Sequence, residues 1–176
     1  MSNLTLNYTA QEKTTQILDS VKQAIGMVPN IYKLMGHSPN VLEGFLGFTG
    51  ALAKGSLFAA DREQIALVVA GFNRCQYCAS AHTLLAQKAG VTVEETKKNL
   101  QGQSDSPRTL SLVQFALRIL ETKGFVSEED FAAIKDAGFS EEQVVEIIAN
   151  ICTNIFTNYF NHVAGTEIDF PKVSLD

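Results

Sequence analysis

The chain has 176 residues, of which 45% are hydrophobic and 19% charged, and its formal net charge is −5 at pH 7. This length predicts a single domain over residues 1–176 with a core of its own. An acidic chain without a basic block gives no reason to expect nucleic acid or an anionic membrane as a partner. The opening residues lack a secretory signal, and the longest uncharged run, 147–166, holds too many polar residues for lipid. We therefore expect a cytoplasmic protein without a membrane span.

Helical periodicity and capping residues predict an all-α fold throughout the chain. An N-terminal arm of about residues 1–10 and a C-terminal tail of about 166–176 flank the predicted helices. These cover about 11–25, 31–35, 39–55, 61–73, 75–90, 92–101, 106–120 and 127–138, and a last long one begins at Ser140. No strand-like alternation flanked by hairpin turns is present.

Within the predicted helix over 61–73, the run over 65–72 is apolar on every side, so we expect the helix to be buried. Asp61 and Gln64 fit a capping box at its start. This arrangement places the carboxylate of Glu63 at the mouth of a buried helix.

Two further patterns concern how the helices pack. Glycines recur every three residues in the preceding helix, where we expect another backbone to approach closely: Gly44, Gly47 and Gly50. A shift of 79 residues aligns 63–65 with 142–144, which predicts a degenerate internal repeat. In that register Asn154 aligns with Cys75, Thr157 with Cys78 and Asn161 with His82.

The reactive groups of the chain are concentrated in a CxxC pair followed by a histidine. Cys75 and Cys78 open a helix, and His82 lies four residues after the second cysteine. On a helix the three side chains fall within about 60° of one face. The helix N-terminus stabilises a thiolate, and the two-residue gap keeps the sulfurs close enough for a disulfide. His82 can accept or return the thiol proton, and Glu63 can hold its imidazole in one tautomer or pass the proton through a water.

Two other interpretations of the pair stay open: half of a zinc site with His82 as third ligand, and chance cysteines in a core. A structural zinc needs a fourth ligand, for which Cys152, His37 and His162 are the candidates. The apolar neighbours of Cys152 favour a small buried hydrophobic residue instead. We expect His162 to bond a backbone group and His37 to be a loop residue. Three cysteines, two of them in one CxxC, do not form a secreted disulfide framework.

A polar stripe follows one face of the otherwise apolar last helix: Asn150, Asn154, Thr157 and Asn161. If these side chains are buried, they need hydrogen-bond partners. They either line the pocket of the site or join helices at a subunit interface, and the sequence leaves both possibilities open.

The pattern Glu63, eleven residues, Cys75-x-x-Cys78, three residues, His82 resembles the alkyl hydroperoxidase D family of the carboxymuconolactone decarboxylase superfamily. The segments GMVPNIYKLMGHSPNVLEGF and NYFNHVAGTEIDFPKV are similar to its peroxidase-related branch, so the resemblance covers about residues 26–173. It implies an AhpD-like helical domain with the CxxC helix in a pocket, assembled into trimers or hexamers. The implied activity is thiol-dependent reduction of hydroperoxides with no metal, haem or other cofactor.

The resemblance also implies a role for each residue of the site. Cys78 would be the thiolate that attacks the peroxide, and Cys75 the resolving partner nearer the surface. His82 and Glu63 would form the proton relay. The best-known peroxidases of the family carry a histidine immediately before the second cysteine, where this chain has Tyr77. The relay would then have one member fewer.

The sequence therefore predicts a cysteine peroxidase of small or organic hydroperoxides, recycled by an external thiol or disulfide reductant. The alternatives are a thiol–disulfide oxidoreductase acting on a partner protein, a decarboxylase-like enzyme whose branch typically lacks the CxxC, and a non-redox binding protein. The apolar helix over 147–160 and the hydrophobic content also predict a homo-oligomer.

Overall fold

The computed structural model describes residues 2–5 and 12–175. Within these residues the chain forms helices and no strand, which confirms the all-α prediction. The helices are α1 (Glu12–Ile25), α2 (Asn30–Met35), α3 (Pro39–Leu52), α4 (Ala59–Phe72), α5 (Gln76–Lys88), α6 (Val93–Leu100), α7 (Pro107–Thr122), α8 (Glu128–Asp136) and α9 (Glu141–Ala164). The predicted first residue of α1, residue 11, and most of the predicted N-terminal arm lie outside the described residues.

Helix α4 is the centre of the fold, as the apolar run over 65–72 predicts. It packs against α5, α6, α7 and α9, and its residues 64–70 are all buried. Burial of each large aliphatic side chain in this core contributes roughly 1.5–3 kcal/mol. Gly71 lets α4 approach α6, because a Cβ at this position would collide with the carbonyl oxygen of Leu100.

The start of α4 differs from the prediction, because Asp61 does not cap the helix. The helix begins at Ala59, and Asp61 lies inside its first turn. The Asp61 carboxylate instead accepts two hydrogen bonds from the Arg108 guanidinium, at 2.7 and 3.0 Å. The guanidinium carbon also lies 4.2 Å from the ring centroid of Phe139. A buried carboxylate gains more from this two-pronged charged contact than from a backbone N–H.

The glycine spacing in α3 does not mark a close helix contact within this chain. A Cβ at Gly44, Gly47 or Gly50 would meet no atom within 4 Å. All three residues are exposed, on the side of α3 away from buried Leu42. The expectation of a close backbone approach there is therefore wrong for the described chain.

The predicted internal repeat does not hold as a two-helix unit. The shift of 79 residues sets the turn between α4 and α5, residues 73–75, opposite residues 152–154. Those residues lie inside the unbroken helix α9.

Candidate active site

A short turn between α4 and α5 places the CxxC pair. Arg74 has a left-handed backbone with a φ of 53°, and Cys75 follows as the N-cap of α5. A non-glycine residue in this conformation costs roughly 1–2 kcal/mol. The turn is tied to α9, because Nε2 of His162 donates to the carbonyl oxygen of Asn73 at 3.0 Å. This is the backbone contact expected for His162.

The two cysteine sulfurs lie at the buried N-terminus of α5. The backbone N–H of Cys78 donates to Sγ of Cys75 at 3.3 Å. The side chain of Asn161 in α9 donates to Sγ of Cys78 at 3.2 Å. Cys75 and Cys78 are only 1% and 2% exposed, so the expectation that Cys75 lies nearer the surface is wrong.

The electrostatics of the pair place the first negative charge on Cys75. The hydrogen bond from the Cys78 thiol lowers the pKa of Cys75, and the Cys78 backbone N–H, Asn161 and the charge of His82 lower it further against the opposing effect of burial. The pKa of Cys78 is raised, because its thiol donates to Cys75, it is buried and it faces the charge on Cys75. When the reduced pair loses its first proton, the proton that remains is therefore shared by the two sulfurs.

His82 and Glu63 meet at the same site. Nδ1 of His82 lies 2.8 Å from Oε2 of Glu63, and each side chain is 22% exposed. Because a carboxylate accepts, Nδ1 donates, which leaves Nε2 to exchange a proton with a reacting group. The contact expected from the sequence is present, and its role in catalysis stays a prediction.

A cavity of about 690 Å³ opens onto these groups. Cys78, His82 and Glu63 line it, whereas Cys75 does not. The polar stripe of α9 lines the same cavity through Asn150, Asn154, Thr157 and Asn161. Of the two possibilities left open by the sequence, the structure places the stripe on the pocket. A smaller cavity of about 330 Å³ between α7 and α8 contains neither sulfur.

Tyr77, between the two cysteines, points to the C-terminal tail. Its hydroxyl donates to Oδ1 of Asp169 at 2.8 Å and accepts from the backbone N–H of Ile31 at 3.3 Å. The ring of Phe170 packs edge-on against it, with centroids 5.6 Å apart. Burial is the main cause that raises the pKa of Tyr77. The sequence does not predict the role of Asp169, since no local pattern marks a contact between residues 92 positions apart.

The remaining candidates for a zinc ligand lie elsewhere. Cys152 is exposed, so the expectation that it is a buried hydrophobic residue is wrong. It lies on the outer face of α9, away from the stripe. Among the described residues no three histidine, cysteine or acidic side chains form a group that could hold a metal ion.

No helix in the described part of the chain has the length and apolar character needed to cross a membrane.

The model of the carboxymuconolactone decarboxylase family matches residues 39–101, the segment that carries Glu63, Cys75, Cys78 and His82. A search of the curated proteins gave no match.

The fold is shared with several solved structures. An uncharacterised peroxidase-related protein with an alkylhydroperoxidase AhpD core from Ralstonia eutropha JMP134 is 23% identical, with a TM-score of 0.87 over 96% of this chain and 92% of its own. A peroxidase-related protein from Silicibacter sp. TM1040 is 20% identical, with a TM-score of 0.82 over 94% and 89%. The debrominase Bmp8, solved with 2,3,4-tribromopyrrole, is 21% identical, with a TM-score of 0.78 over 96% and 94%.

At these identities the solved structures establish the fold, and the family match adds the segment that carries the cysteines. The chain therefore has the fold of these solved structures, and its residues 39–101 are similar to the carboxymuconolactone decarboxylase family.

Proposed function

We propose that the protein reduces hydroperoxides with the Cys75–Cys78 pair and is recycled by an external thiol. One observation carries this proposal: Sγ of Cys78 lines a cavity that also contains the Glu63–His82 pair, and its thiol is hydrogen-bonded to Cys75. A nucleophile and a proton donor thus face one pocket, and a resolving sulfur lies beside the nucleophile, outside the lining of the pocket.

In the first step the shared proton moves from Cys78 to Cys75, and the Cys78 thiolate attacks the outer oxygen of the hydroperoxide. The S–O bond forms as the O–O bond breaks, so the sulfur is oxidised to a sulfenic acid and the peroxide is reduced. Protonated His82 gives its Nε2 proton to the leaving alkoxide, which departs as an alcohol. Asn161, which donates to Sγ of Cys78, stabilises the attacking thiolate.

In the second step neutral His82 takes the thiol proton of Cys75. The Cys75 thiolate attacks the Cys78 sulfur, the S–S bond forms, and the hydroxide leaves with the proton from His82 as water. Two molecules of an external thiol then reduce the disulfide and are themselves oxidised. Glu63 holds the His82 ring in place during both proton transfers.

Stopped-flow oxidation of the reduced protein, with mass spectrometry of both cysteines, tests this reaction. We expect one equivalent of alcohol for each Cys75–Cys78 disulfide formed. Cys78→Ser should abolish peroxide consumption, whereas Cys75→Ser should consume one equivalent and stop with a sulfenic acid on Cys78. Cys152→Ser is the matched control and should keep full turnover, because Cys152 is exposed and lies outside the cavity.

The outcomes separate the roles. A sulfenic acid on Cys75 would reverse the assignment of the two cysteines. If both thiols stay unmodified, the protein is not a peroxidase. A pair that cycles with disulfide-bonded proteins but ignores hydroperoxides would identify a thiol–disulfide oxidoreductase instead.

We also propose that the protein acts as a homo-oligomer, a trimer or hexamer as the family resemblance implies. Large apolar side chains on the outer face of α9 support this, because they are exposed in the single chain: Val145, Ile148, Phe156, Tyr159 and Val163. Contiguous exposed apolar surface of this kind is typical of a protein interface.

A further inference from the structure

Helix α9 forms one wall of the cavity. The amide side chains on this wall donate their hydrogen bonds to backbone carbonyl oxygens of α9 itself. Nδ2 of Asn150 donates to the carbonyl oxygen of Glu146 at 2.8 Å. Nδ2 of Asn154 donates to the carbonyl oxygen of Asn150 at 2.9 Å. Because a carbonyl oxygen can only accept, these two bonds fix which way each amide group is turned.

Both amides therefore present Oδ1 to the cavity. Asn150 and Asn154 are only 7% and 8% exposed and line the cavity. Neither Oδ1 has a partner among the described residues, yet neither is enclosed by protein atoms, so both reach the open space of the cavity. An acceptor at such a site that loses contact with water costs roughly 1–3 kcal/mol unless a ligand donates to it.

Two threonines of the same wall follow the same pattern. The hydroxyl of Thr153 donates to the carbonyl oxygen of Ala149 at 2.7 Å. The hydroxyl of Thr157 donates to the carbonyl oxygen of Asn154 at 3.0 Å. The side chain of Thr157 also forms a hydrogen bond to Cys78. We therefore define the acceptor row as the other three side chains, Asn150, Thr153 and Asn154.

The rest of the cavity differs from the acceptor row. Much of its lining is apolar and includes Ile25, Phe45, Leu52 and Leu85. The acceptor row itself carries no charge, so it offers nothing to attract a carboxylate or a phosphate. A ligand that fits both surfaces has an apolar skeleton with uncharged donors along one edge.

We propose that the acceptor row binds an uncharged organic molecule that carries two hydrogen-bond donors, hydroxyl or N–H, on an apolar skeleton. Asn150 and Asn154 are four residues apart, so the donors would lie about 6 Å apart along the helix. This subsite rests on the proposed function for its reacting group, because the same molecule would present its hydroperoxide to Cys78. Asn161, which contacts Cys78, is seven residues beyond Asn154 and eleven beyond Asn150. The reacting oxygen would then lie roughly 10–17 Å from the two donors.

Calorimetric titration of the reduced protein with three compounds that share one chain tests the subsite. They are N-(3-hydroxypropyl)decanamide, which has two donors, methyl decanoate, which has none, and decanoate, which is an anion. We expect the amide to bind at least about tenfold more tightly than the ester, since each hydrogen bond contributes about 1 kcal/mol. Because none of the compounds is a peroxide, the result does not depend on peroxidase activity.

Variants locate the effect. Asn150→Leu and Asn154→Leu should each reduce the preference for the amide over the ester by roughly three- to fivefold. Asn40→Leu on the exposed surface of α3 is the matched control and should keep the preference of the parent. Equal binding of amide and ester by the parent would overturn the proposal. Tighter binding of decanoate would also overturn it and would point to Arg62 and Lys88, the cations that line the cavity.

Discussion

The hydroxyl of Tyr77 donates a hydrogen bond of 2.8 Å to Asp169, which ties the residue between the two cysteines to the C-terminal tail. Oδ2 of the same carboxylate accepts from the backbone N–H of Asn30 at 2.8 Å. Further along, the backbone N–H of Val173 donates to the hydroxyl of Ser80 on α5 at 3.2 Å. The tail therefore holds the N-terminus of α2 and the CxxC helix together, although its described residues, 166–175, form no helix or strand.

Replacement of Tyr77 by phenylalanine should weaken this contact without changing the shape of the core. A hydrogen bond to a charged group contributes roughly 1.5–3 kcal/mol, so the free energy of unfolding at pH 7 should fall by about that amount. Urea denaturation measures it. The free energy of unfolding should fall less in the double variant Tyr77→Phe/Asp169→Asn than the sum of the losses in the two single variants, because both substitutions remove the same interaction.

The same substitution should change the response to alkaline pH. The pKa of Tyr77 is raised in the folded protein, so its stabilising effect is complete below the unfolded pKa near 10. As the pH rises above 10, the unfolded chain releases the phenolic proton while the folded protein keeps it. The parent should then lose up to about 1.4 kcal/mol per pH unit relative to Tyr77→Phe. Parallel stability curves of the two proteins above pH 10 would contradict the assignment.

The sequence predicts the helices because their signals are local. A continuous apolar run over 65–72 marks the central helix α4, and Ser127 and Ser140 form the capping boxes that their spacing suggests. Contacts between distant segments leave no such signal, so the tail bond of Tyr77 could not be predicted. Asp61 fits the pattern of a cap, but a charged partner 47 positions away determines its contact.

The pattern of burial on α9 shows a second limit of prediction from the sequence. The helix is apolar on more than one side, so the sequence does not distinguish the face that meets the core from the face that meets solvent. The prediction that Cys152 is buried is wrong for this reason. The site itself could be anticipated, because Glu63, Cys75, Cys78 and His82 lie on two successive helices that pack on each other.

Removal of one partner of the Asp61–Arg108 ion pair should destabilise the protein more than removal of both partners. Arg108→Met leaves a carboxylate whose side chain is only 4% exposed without its charged partner. We expect the free energy of unfolding to fall by about 2–3 kcal/mol. This is less than for a fully buried ion pair, because the Arg108 side chain is 38% exposed. The double variant Asp61→Leu/Arg108→Met should recover part of it.

Arg118→Met provides the comparison for this ion pair. Its contact with Asp130, at 3.2 Å, is on the surface, so the free energy of unfolding should fall much less in this variant than in Arg108→Met. Equal losses for Arg108→Met and Arg118→Met in chemical denaturation would show that Asp61 is solvated.

The outer face of α9 should mediate assembly. Val145 and Val163 are 66% and 76% exposed at opposite ends of this face. Sedimentation equilibrium of the parent should give a mass that is a multiple of 19.2 kDa. Val145→Glu and Val163→Glu should shift the mass toward 19.2 kDa, because charge in an apolar interface is costly. Val93→Glu on α6, where the side chain is 42% exposed, is the matched control and should leave the mass unchanged. A parent protein that sediments as a single chain at micromolar concentration would refute the assembly.

Glu63→Gln tests the proton relay rather than the cysteines. Glutamine keeps the shape of the side chain and can still accept from Nδ1 of His82, but it removes the negative charge that stabilises a protonated imidazole. The rate of peroxide consumption should fall by roughly 10²–10⁴-fold, the range typical of lost acid–base catalysis, and Cys78 should need a higher pH to react. The free energy of unfolding should change much less, because the side chain is 22% exposed.

A charge that only favours the helix dipole is the competing explanation for Glu63. Such an effect is confined to the first turn, and α4 begins four residues earlier, at Ala59. Glu94→Gln in the first turn of α6 is therefore the control for a dipole effect, and peroxide consumption should match the parent. If Glu63→Gln consumes peroxide as fast as Glu94→Gln across the pH range, His82 acts without Glu63. A loss of rate in Glu63→Gln alone, with unchanged stability, assigns the carboxylate to the relay.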